Sequence, residues 1–417
     1  MTKKLILIAC ILFQFSYIID AQSQNSDEMV KTLTVRVKDN WQIPPVIELN
    51  GTQSIEIKFD YMDLNLHYFY YSIKHCNSDW TPSDISESEY LDGFNNQPIE
   101  ERKTSFNTYS NYSNFRLELP NDRLKLRLSG NYEVRIYDNG NSEQTIATAR
   151  FSVYERLINV GASISTITDI DYNQTHQQLD LQLDTRNYTI RTPQMEMKVL
   201  INQNSRTDNE VRLNTPTFTQ GTNLMFSHNR DLIFEAGNEF RRFEMVSYRY
   251  NGLNVEQIKH INPYFHVFLY RDKLKPASTY IYDQDQDGRF FIRNSEAQDF
   301  DNESDYFVTH FSLAANAPVG NGRLYLLGEF NRFSIDPAWE MTYDIGLRCY
   351  TKEMPMKQGA YNYQYIFVPN GRTKGTPALT DGNFYETENE YTIRVYHRAL
   401  GSRYDRLVGY NFVKSGK

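Results

Sequence analysis

The chain contains 417 residues, with 44 Lys and Arg against 52 Asp and Glu, and its formal net charge is −8 at pH 7. The basic residues are dispersed along the sequence, which argues against a nucleic-acid partner, because such partners are bound by clustered positive charge. A chain of this length exceeds what one hydrophobic core usually supports, so we expect about two to four domains.

Residues 1–21 have the features of a secretory signal peptide. Lys3 and Lys4 precede an apolar run from Leu5 to Ile19, and Ala21 suits the last position before cleavage. A lipid-accepting Cys10 is the alternative, but too little apolar sequence precedes it to engage the export machinery. No later stretch reaches the ~20 apolar residues of a membrane helix, so we expect none in the mature chain.

The rest of the sequence predicts an all-β protein of tandem immunoglobulin-like or β-sandwich domains. Short runs alternate apolar and polar residues with a period of two, and turns rich in Asn, Gly, Asp and Pro separate them. We expect an N-terminal sandwich at 22–155, a middle sandwich at 156–304 and a C-terminal sandwich at 305–417. The third resembles the carbohydrate-binding modules attached to starch-branching enzymes.

The first polar cluster consists of His75 and Cys76, followed by Asp79 and Trp80. Adjacent strand residues point to opposite faces, so His75 and Cys76 are poorly placed to share a metal ion or form a catalytic pair. The sequence favours a structural interpretation, in which Trp80 covers a core and the other polar side chains bond the backbone of turns. After signal cleavage only Cys76 and Cys349 remain, as two buried thiols or one long-range disulfide.

A second candidate site is the acidic segment that contains Asp283, Asp285 and Asp287. Alternate Asp residues followed by Gly match the first half of a calcium-binding EF-hand loop. The match fails at the twelfth position, where Asn294 replaces the bidentate Glu, and no helical pattern flanks the segment. We therefore expect an acidic turn, with the three Asp residues as calcium candidates only.

A third candidate is aromatic: Trp339 and Tyr343 precede a strand that carries Tyr361, Tyr363 and Tyr365. Such rings could form a platform for sugars, which pack on aromatic faces. The three strand tyrosines share one face, so the sequence favours their packing in a core. No nucleophile elbow, paired acid and base or phosphate-binding loop is present, which argues against an enzyme.

A series of short motifs occurs in one order along nearly the whole mature chain. The motifs are His75-Cys76, Asp79-Trp80, Glu89-Tyr90-Leu91, Gly93-Phe94, Ser105-Phe106-Asn107-Thr108, Pro120-Asn121, Ser129-Gly130-Asn131-Tyr132, Gly237-Asn238-Glu239-Phe240-Arg241, Lys357-Gln358-Gly359, Tyr361-Asn362-Tyr363, Glu386-Thr387-Glu388-Asn389 and Tyr391. With these motifs in this order, the chain resembles the type IX secretion system plug protein family.

The resemblance implies a non-enzymatic periplasmic protein, peripherally associated with the outer membrane. Such a protein docks on the large translocon β-barrel of type IX secretion and closes it when no cargo is passing. It needs no cofactor, nucleic acid or small-molecule substrate. The predicted interface residues are His75, Asp79, Trp80, Tyr90, Gly93, Phe94, Asn238, Glu239 and Arg241. The alternative function is that of an envelope glycan-binding β-sandwich protein.

Overall fold

The computed structural model of the protein describes residues 27–139, 141–275 and 280–416. These residues form β-sandwiches, which confirms the predicted all-β class. The predicted signal peptide and Cys10 lie outside the described residues. The helices are single turns, α1 (Glu87–Tyr90), α2 (Pro193–Glu196) and α3 (Phe300–Glu303), with 3-10 turns at Arg230–Leu232, Glu329–Asn331 and Pro337–Trp339. None of the helices in the described part of the chain has the length and apolarity to cross a membrane.

The first sandwich is formed by the first eleven strands. They are β1 (Val30–Val37), β2 (Val46–Glu48), β3 (Ile55–Tyr61), β4 (Phe69–Cys76), β5 (Leu91–Gly93), β6 (Gln97–Pro98), β7 (Glu101–Thr104), β8 (Ser113–Leu119), β9 (Leu124–Leu126), β10 (Gly130–Asp138) and β11 (Asn141–Tyr154). One sheet has the order β1-β3-β8-β7, the other has the order β2-β11-β10-β4-β6, and β5 pairs with β9. One apolar core lies between the two main sheets.

The period-two pattern explains how these strands form that core. In β10, Tyr132, Val134 and Ile136 are fully buried, while Glu133 and Arg135 between them are partly exposed. Successive side chains of a strand point to opposite faces, so Tyr132, Val134 and Ile136 pack inward while Glu133 and Arg135 lie on the other face. The alternation read from the sequence is thus observed at this strand.

The remaining strands follow in chain order. They are β12 (Asn159–Ser165), β13 (His176–Asp184), β14 (Met197–Gln203), β15 (Val211–Leu213), β16 (Phe218–Gln220), β17 (Asn223–Phe226), β18 (Ile233–Glu235), β19 (Arg241–Met245), β20 (Val255–Ile261), β21 (Tyr264–Leu269), β22 (Phe290–Ile292), β23 (Tyr306–Ala314), β24 (Gly322–Leu327), β25 (Thr342–Asp344), β26 (Cys349–Lys357), β27 (Gly359–Pro369), β28 (Glu390–His397) and β29 (Arg406–Lys414). They build two further sandwiches.

The third sandwich is inserted into the second, so their sheets cross the predicted boundary at residue 304. The second sandwich packs the sheet β12-β13-β17-β16, with β18, on the sheet β15-β14-β28-β29. The third packs β27, with its neighbours β19, β22 and β24, on the sheet β20-β21-β23-β26-β25. The division into 156–304 and 305–417 therefore does not follow the sheets, because β14 pairs with β28 across the whole insertion.

Buried polar contacts join the first sandwich to the third. Lys357 Nζ lies 2.6 Å from Asp60 Oδ2, and the Tyr306 hydroxyl donates to the same oxygen at 2.6 Å. The Asp305 carboxylate accepts the backbone amides of Tyr109 at 2.7 Å and Ser110 at 2.9 Å. Charged groups are buried only at a large desolvation cost, so separating the two sandwiches would leave these groups without their partners.

The first and second sandwiches share an apolar seam of Val46, Tyr154, Leu200, Tyr396 and Leu407. Beside it, the buried Asp405 carboxylate accepts hydrogen bonds from the Ser78 amide at 3.0 Å and the Ser78 hydroxyl at 2.6 Å. The second and third sandwiches meet at an ion pair of Arg289 and Glu390, 2.5 Å apart. Each pair of sandwiches is therefore fixed by specific contacts.

Candidate docking surface

His75, the first predicted interface residue, is a buried structural residue at the end of β4. Its Nε2 donates to the carbonyl oxygen of Ser129 at 3.1 Å, and its Nδ1 lies 2.8 Å from Ser83 Oγ. Burial lowers the pKa of His75 to about 4, so the imidazole is neutral at neutral pH. Because both ring nitrogens are occupied inside the protein and the residue is 2% exposed, a docking partner cannot reach it.

Asp79 and Trp80 form a tight turn directly after β4. Asp79 Oδ1 accepts hydrogen bonds from the Thr81 amide at 3.1 Å and its hydroxyl at 2.6 Å, so the expected turn bonding is confirmed. Trp80 adopts a positive φ of 67°. Its ring lies 4.9 Å from the Arg150 guanidinium, on the outer face of the sheet. The expectation that Trp80 covers a core is therefore wrong, because the turn directs it onto a charged side chain.

The next three predicted interface residues differ in how accessible they are to a binding partner: Tyr90, Gly93 and Phe94. Tyr90 is buried, and its hydroxyl donates to the Ile73 carbonyl oxygen at 3.2 Å. Gly93 has a φ of +119°, and a Cβ there would lie 2.1 Å from the Arg123 carbonyl oxygen, so only glycine fits. Phe94 is 79% exposed and presents a whole aromatic ring to solvent. Phe94 is thus the one large apolar contact that this group of three supplies.

Asn238, Glu239 and Arg241 lie apart from this group, at the junction of the second and third sandwiches. Asn238 Nδ2 donates to the Asp381 carbonyl oxygen at 2.8 Å, and Arg241 lies 2.7 Å from Asp272 and 2.9 Å from Asp381. All three are buried or nearly so, and burial raises the pKa of Glu239. Their side chains are engaged inside the protein, so they cannot form an exposed interface.

The three calcium candidates are engaged by the protein itself. Asp283 pairs with Arg242 at 2.5 Å, and Asp287 pairs with Lys414 at 2.9 Å. Asp285 accepts the backbone amide of Asp287 at 2.7 Å, and burial raises the pKa of Asp285 well above its usual range. A buried carboxyl group that accepts backbone amides and two carboxylates with cationic partners do not match the ligands of a calcium site.

The strand tyrosines of the proposed sugar platform are core residues. Tyr361, Tyr363 and Tyr365 are each at most 2% exposed and belong to the apolar core of the third sandwich. The prediction that these rings pack in a core is confirmed.

Cys76 and Cys349 are also buried, and both are free thiols. Of the two arrangements that the sequence left open, the structure therefore has two thiols and not a disulfide.

An exposed group of aromatic rings, which the sequence did not indicate, spans the first and third sandwiches. We define the aromatic patch as Tyr109, Tyr248, His260 and Phe265. The Phe265 ring centroid lies 5.0 Å from that of Tyr109, 5.4 Å from that of Tyr248 and 4.9 Å from that of His260. Tyr109 is 60% exposed and Tyr248 is 40% exposed. Contiguous exposed aromatic rings are typical of protein–protein contact sites.

The chain is similar to a known protein family and to a protein of known structure. Residues 30–155 match the family model described as the Type 9 secretion system plug protein 1st domain. No curated protein matches the chain. A hypothetical protein from Parabacteroides merdae ATCC 43184, whose crystal structure is known, is 43% identical, with a TM-score of 0.92 over 94% of this chain and 98% of that one.

A second solved structure covers a smaller part of the chain. The alkylpurine DNA glycosylase AlkC of Pseudomonas fluorescens, bound to DNA with an abasic site analogue, is 14% identical, with a TM-score of 0.16 over 30% of this chain and 29% of that one.

The matched family domain coincides with the first sandwich, which carries Phe94 and Tyr109. The chain therefore belongs to the type IX secretion system plug protein family, and its role lies in type IX secretion.

Proposed function

We propose that this protein is a non-enzymatic periplasmic plug that docks on the outer-membrane barrel of the type IX translocon and closes it when no cargo is passing. The observation that carries the proposal is the family match of residues 30–155. A conduit wide enough for protein cargo leaks unless something closes it. A separate protein that binds and releases the barrel meets this need.

The junctions between the sandwiches support this role. A stopper must keep its shape against a pore, so its parts should not move relative to one another. The pair of Asp60 and Lys357 and the seam around Tyr396 and Leu407 fix the first sandwich to the other two. Buried charges and close apolar packing both resist such movement.

Two exposed surfaces of the first sandwich are suited to docking. Phe94 projects from the predicted interface region, and Tyr109 projects from the aromatic patch. Exposed aromatic side chains act as anchors in protein interfaces because each buries a large apolar area at a low entropic cost. The plug also has to release the barrel, which favours a few anchors over an extensive apolar interface.

Deletion of the gene and recovery of the barrel test the function together. We expect a deletion strain to retain secretion, because the conduit remains, but to admit large antibiotics that the outer membrane normally excludes. A tagged copy of the protein should co-purify with a very large barrel from detergent-solubilised outer membranes. Unchanged permeability together with no co-purification would refute the proposal.

Single substitutions test where the protein docks. Phe94→Asp should reduce recovery of the barrel at least tenfold, whereas Ile345→Asp should not, although Phe94 is 79% exposed and Ile345 is 82% exposed. The double variant Tyr109→Ala/Tyr248→Ala tests the aromatic patch in the same way, with Tyr172→Ala as its control. All of these side chains are exposed, so an unchanged circular dichroism spectrum is expected and serves as the folding control.

A further inference from the structure

Two histidines face each other on the solvent-facing side of the third sandwich. His266 lies on β21 and His310 on β23, two strands that pair in parallel, with His266 opposite Val308 and Phe268 opposite His310. Their neighbours Val267 and Thr309 point into the core, so the two imidazoles point outward. His266 Nδ1 lies 2.9 Å from His310 Nε2.

We propose that His266 and His310 form a binding site for a divalent transition-metal ion, with Cu²⁺ bound most tightly. Imidazole nitrogen is a preferred ligand of Cu²⁺, Ni²⁺ and Zn²⁺, and Cu²⁺ leads the affinity order for such ligands. With metal–nitrogen bonds of about 2.0 Å, two neighbouring ligands lie about 2.8 Å apart in square-planar geometry and about 3.3 Å apart in tetrahedral geometry. The observed 2.9 Å separation is a hydrogen bond between the two imidazoles, and it is close to the square-planar value that suits Cu²⁺, so the ion would take the place of the shared proton.

The surroundings of His310 orient it as a metal ligand. Its second ring nitrogen, Nδ1, lies 3.4 Å from Glu353 Oε2. Metal-bound histidines usually donate their other N–H to a carboxylate, which fixes the tautomer and makes the ligating nitrogen more basic. The Phe268 ring stacks on His310 at a centroid distance of 4.3 Å and an angle of 10°, which restricts rotation of the imidazole.

The pair supplies two ligands, and water completes the coordination. Glu353 is 71% exposed, and the described residues contain no group of three or more His, Cys, Asp or Glu arranged to hold a metal ion. Because the ion would tie β21 to β23, it should also raise the thermal stability of the folded protein by mass action. This site lies on the outer face of the sheet and is independent of the proposed docking function.

Titration of Cu²⁺ into the untagged mature chain tests the site. We expect one tight ion per chain, weaker binding of Ni²⁺ and Zn²⁺, and an electron paramagnetic resonance spectrum that shows two nitrogen ligands. His266→Asn and His310→Asn should each reduce the Cu²⁺ affinity at least tenfold and remove the two-nitrogen signal. Glu353→Gln should reduce the affinity less and keep both nitrogen ligands.

His228→Asn is the matched control, because His228 is a single histidine whose side chain is 82% exposed. This variant should bind Cu²⁺ as the unmodified chain does. Both imidazoles of the pair are only partly buried, so the variants should fold, and equal melting temperatures without metal would establish this. Equal Cu²⁺ affinity and an unchanged spectrum in His266→Asn and His310→Asn would overturn the proposal.

Discussion

Lys357 and Asp60 form an ion pair 2.6 Å long between the first and third sandwiches, and their side chains are 1% and 0% exposed. Lys357 also donates to the Asp301 carbonyl oxygen at 2.6 Å and lies 4.2 Å from the Tyr112 ring centroid. Asp60 accepts from Asn114 Nδ2 at 2.7 Å. The ion pair thus lies within a buried network in which each of these neighbours contacts one of the two charged groups.

Asp60→Asn should destabilise the protein strongly, because it leaves the Lys357 charge buried without its counter-ion. Loss of one partner of a buried pair typically costs about 3–5 kcal/mol. Urea unfolding measures the change. Glu118→Gln is the control, since Glu118 and its partner Lys38 are both partly exposed to solvent and the substitution should have little effect. The double variant Asp60→Asn/Lys357→Met should recover part of the loss, and a neutral effect of Asp60→Asn alone would contradict the prediction.

His75 should make the stability of the first sandwich depend on pH. Its pKa in the folded protein is lowered by burial to about 4, whereas an unfolded histidine has a pKa of about 6.5. The unfolded chain therefore takes up a proton first as the pH falls. The free energy of unfolding should be unaffected by His75 above pH 6.5 and should fall by up to about 3 kcal/mol between pH 6.5 and 4.

Urea unfolding at several pH values checks this slope. In His75→Gln the decrease between pH 6.5 and 4 should be smaller, whatever the stability of the variant at neutral pH. An identical slope in both proteins would show that His75 is not responsible.

Gly130→Ala should destabilise the first sandwich through a steric clash. Gly130 has a φ of +143°, and a Cβ there would lie 2.4 Å from His75 Nε2. Gly221→Ala isolates the backbone cost, because Gly221 has a φ of +59° and no atom within 4 Å of its would-be Cβ. We expect a loss of about 1 kcal/mol for Gly221→Ala and clearly more for Gly130→Ala, measured by urea unfolding. Equal losses would contradict the clash.

The two cysteines should be unreactive in the folded protein. Cys76 and Cys349 are 1% and 0% exposed, and burial raises the pKa of the Cys76 thiol to about 12. The thiolate is the reactive form, so native mature protein at pH 8 should not react with a thiol reagent. After unfolding in urea, two thiols per chain should react. Rapid labelling of the native protein, or fewer than two thiols after unfolding, would contradict the assignment.

The local structure could largely be predicted from the sequence. In β23, Phe307, Thr309, Phe311 and Leu313 are buried and the residues between them are partly exposed, as the period-two pattern indicates. The same pattern indicated correctly that the tyrosines of β27 belong to a core. In β23 the physical reason is that a strand with one buried face alternates buried and partly exposed residues. In β27 both faces are buried, and the three tyrosines share one of them.

The insertion and the buried charges could not be predicted in this way. β14 pairs with β28, so that Ile201 lies opposite Ile393. The local residue pattern of a strand does not indicate which distant strand it pairs with. Glu239 and Arg241 were predicted to lie at an interface because they belong to a motif that carries the family resemblance. Their burial depends on partners such as Asp381, which other parts of the chain supply.

The insertion of the third sandwich also determines the order in which the chain can fold as it is synthesised. The first sandwich has all its strands once Tyr154 is made, and the third has all of its own at Pro369. The second has to wait for β28 and β29 at the very end of the chain. Until then β14 keeps one edge unpaired, and such an edge is prone to aggregation. A chain that ends before residue 390 would therefore contain two complete sandwiches and one open apolar half, which a protease could recognise.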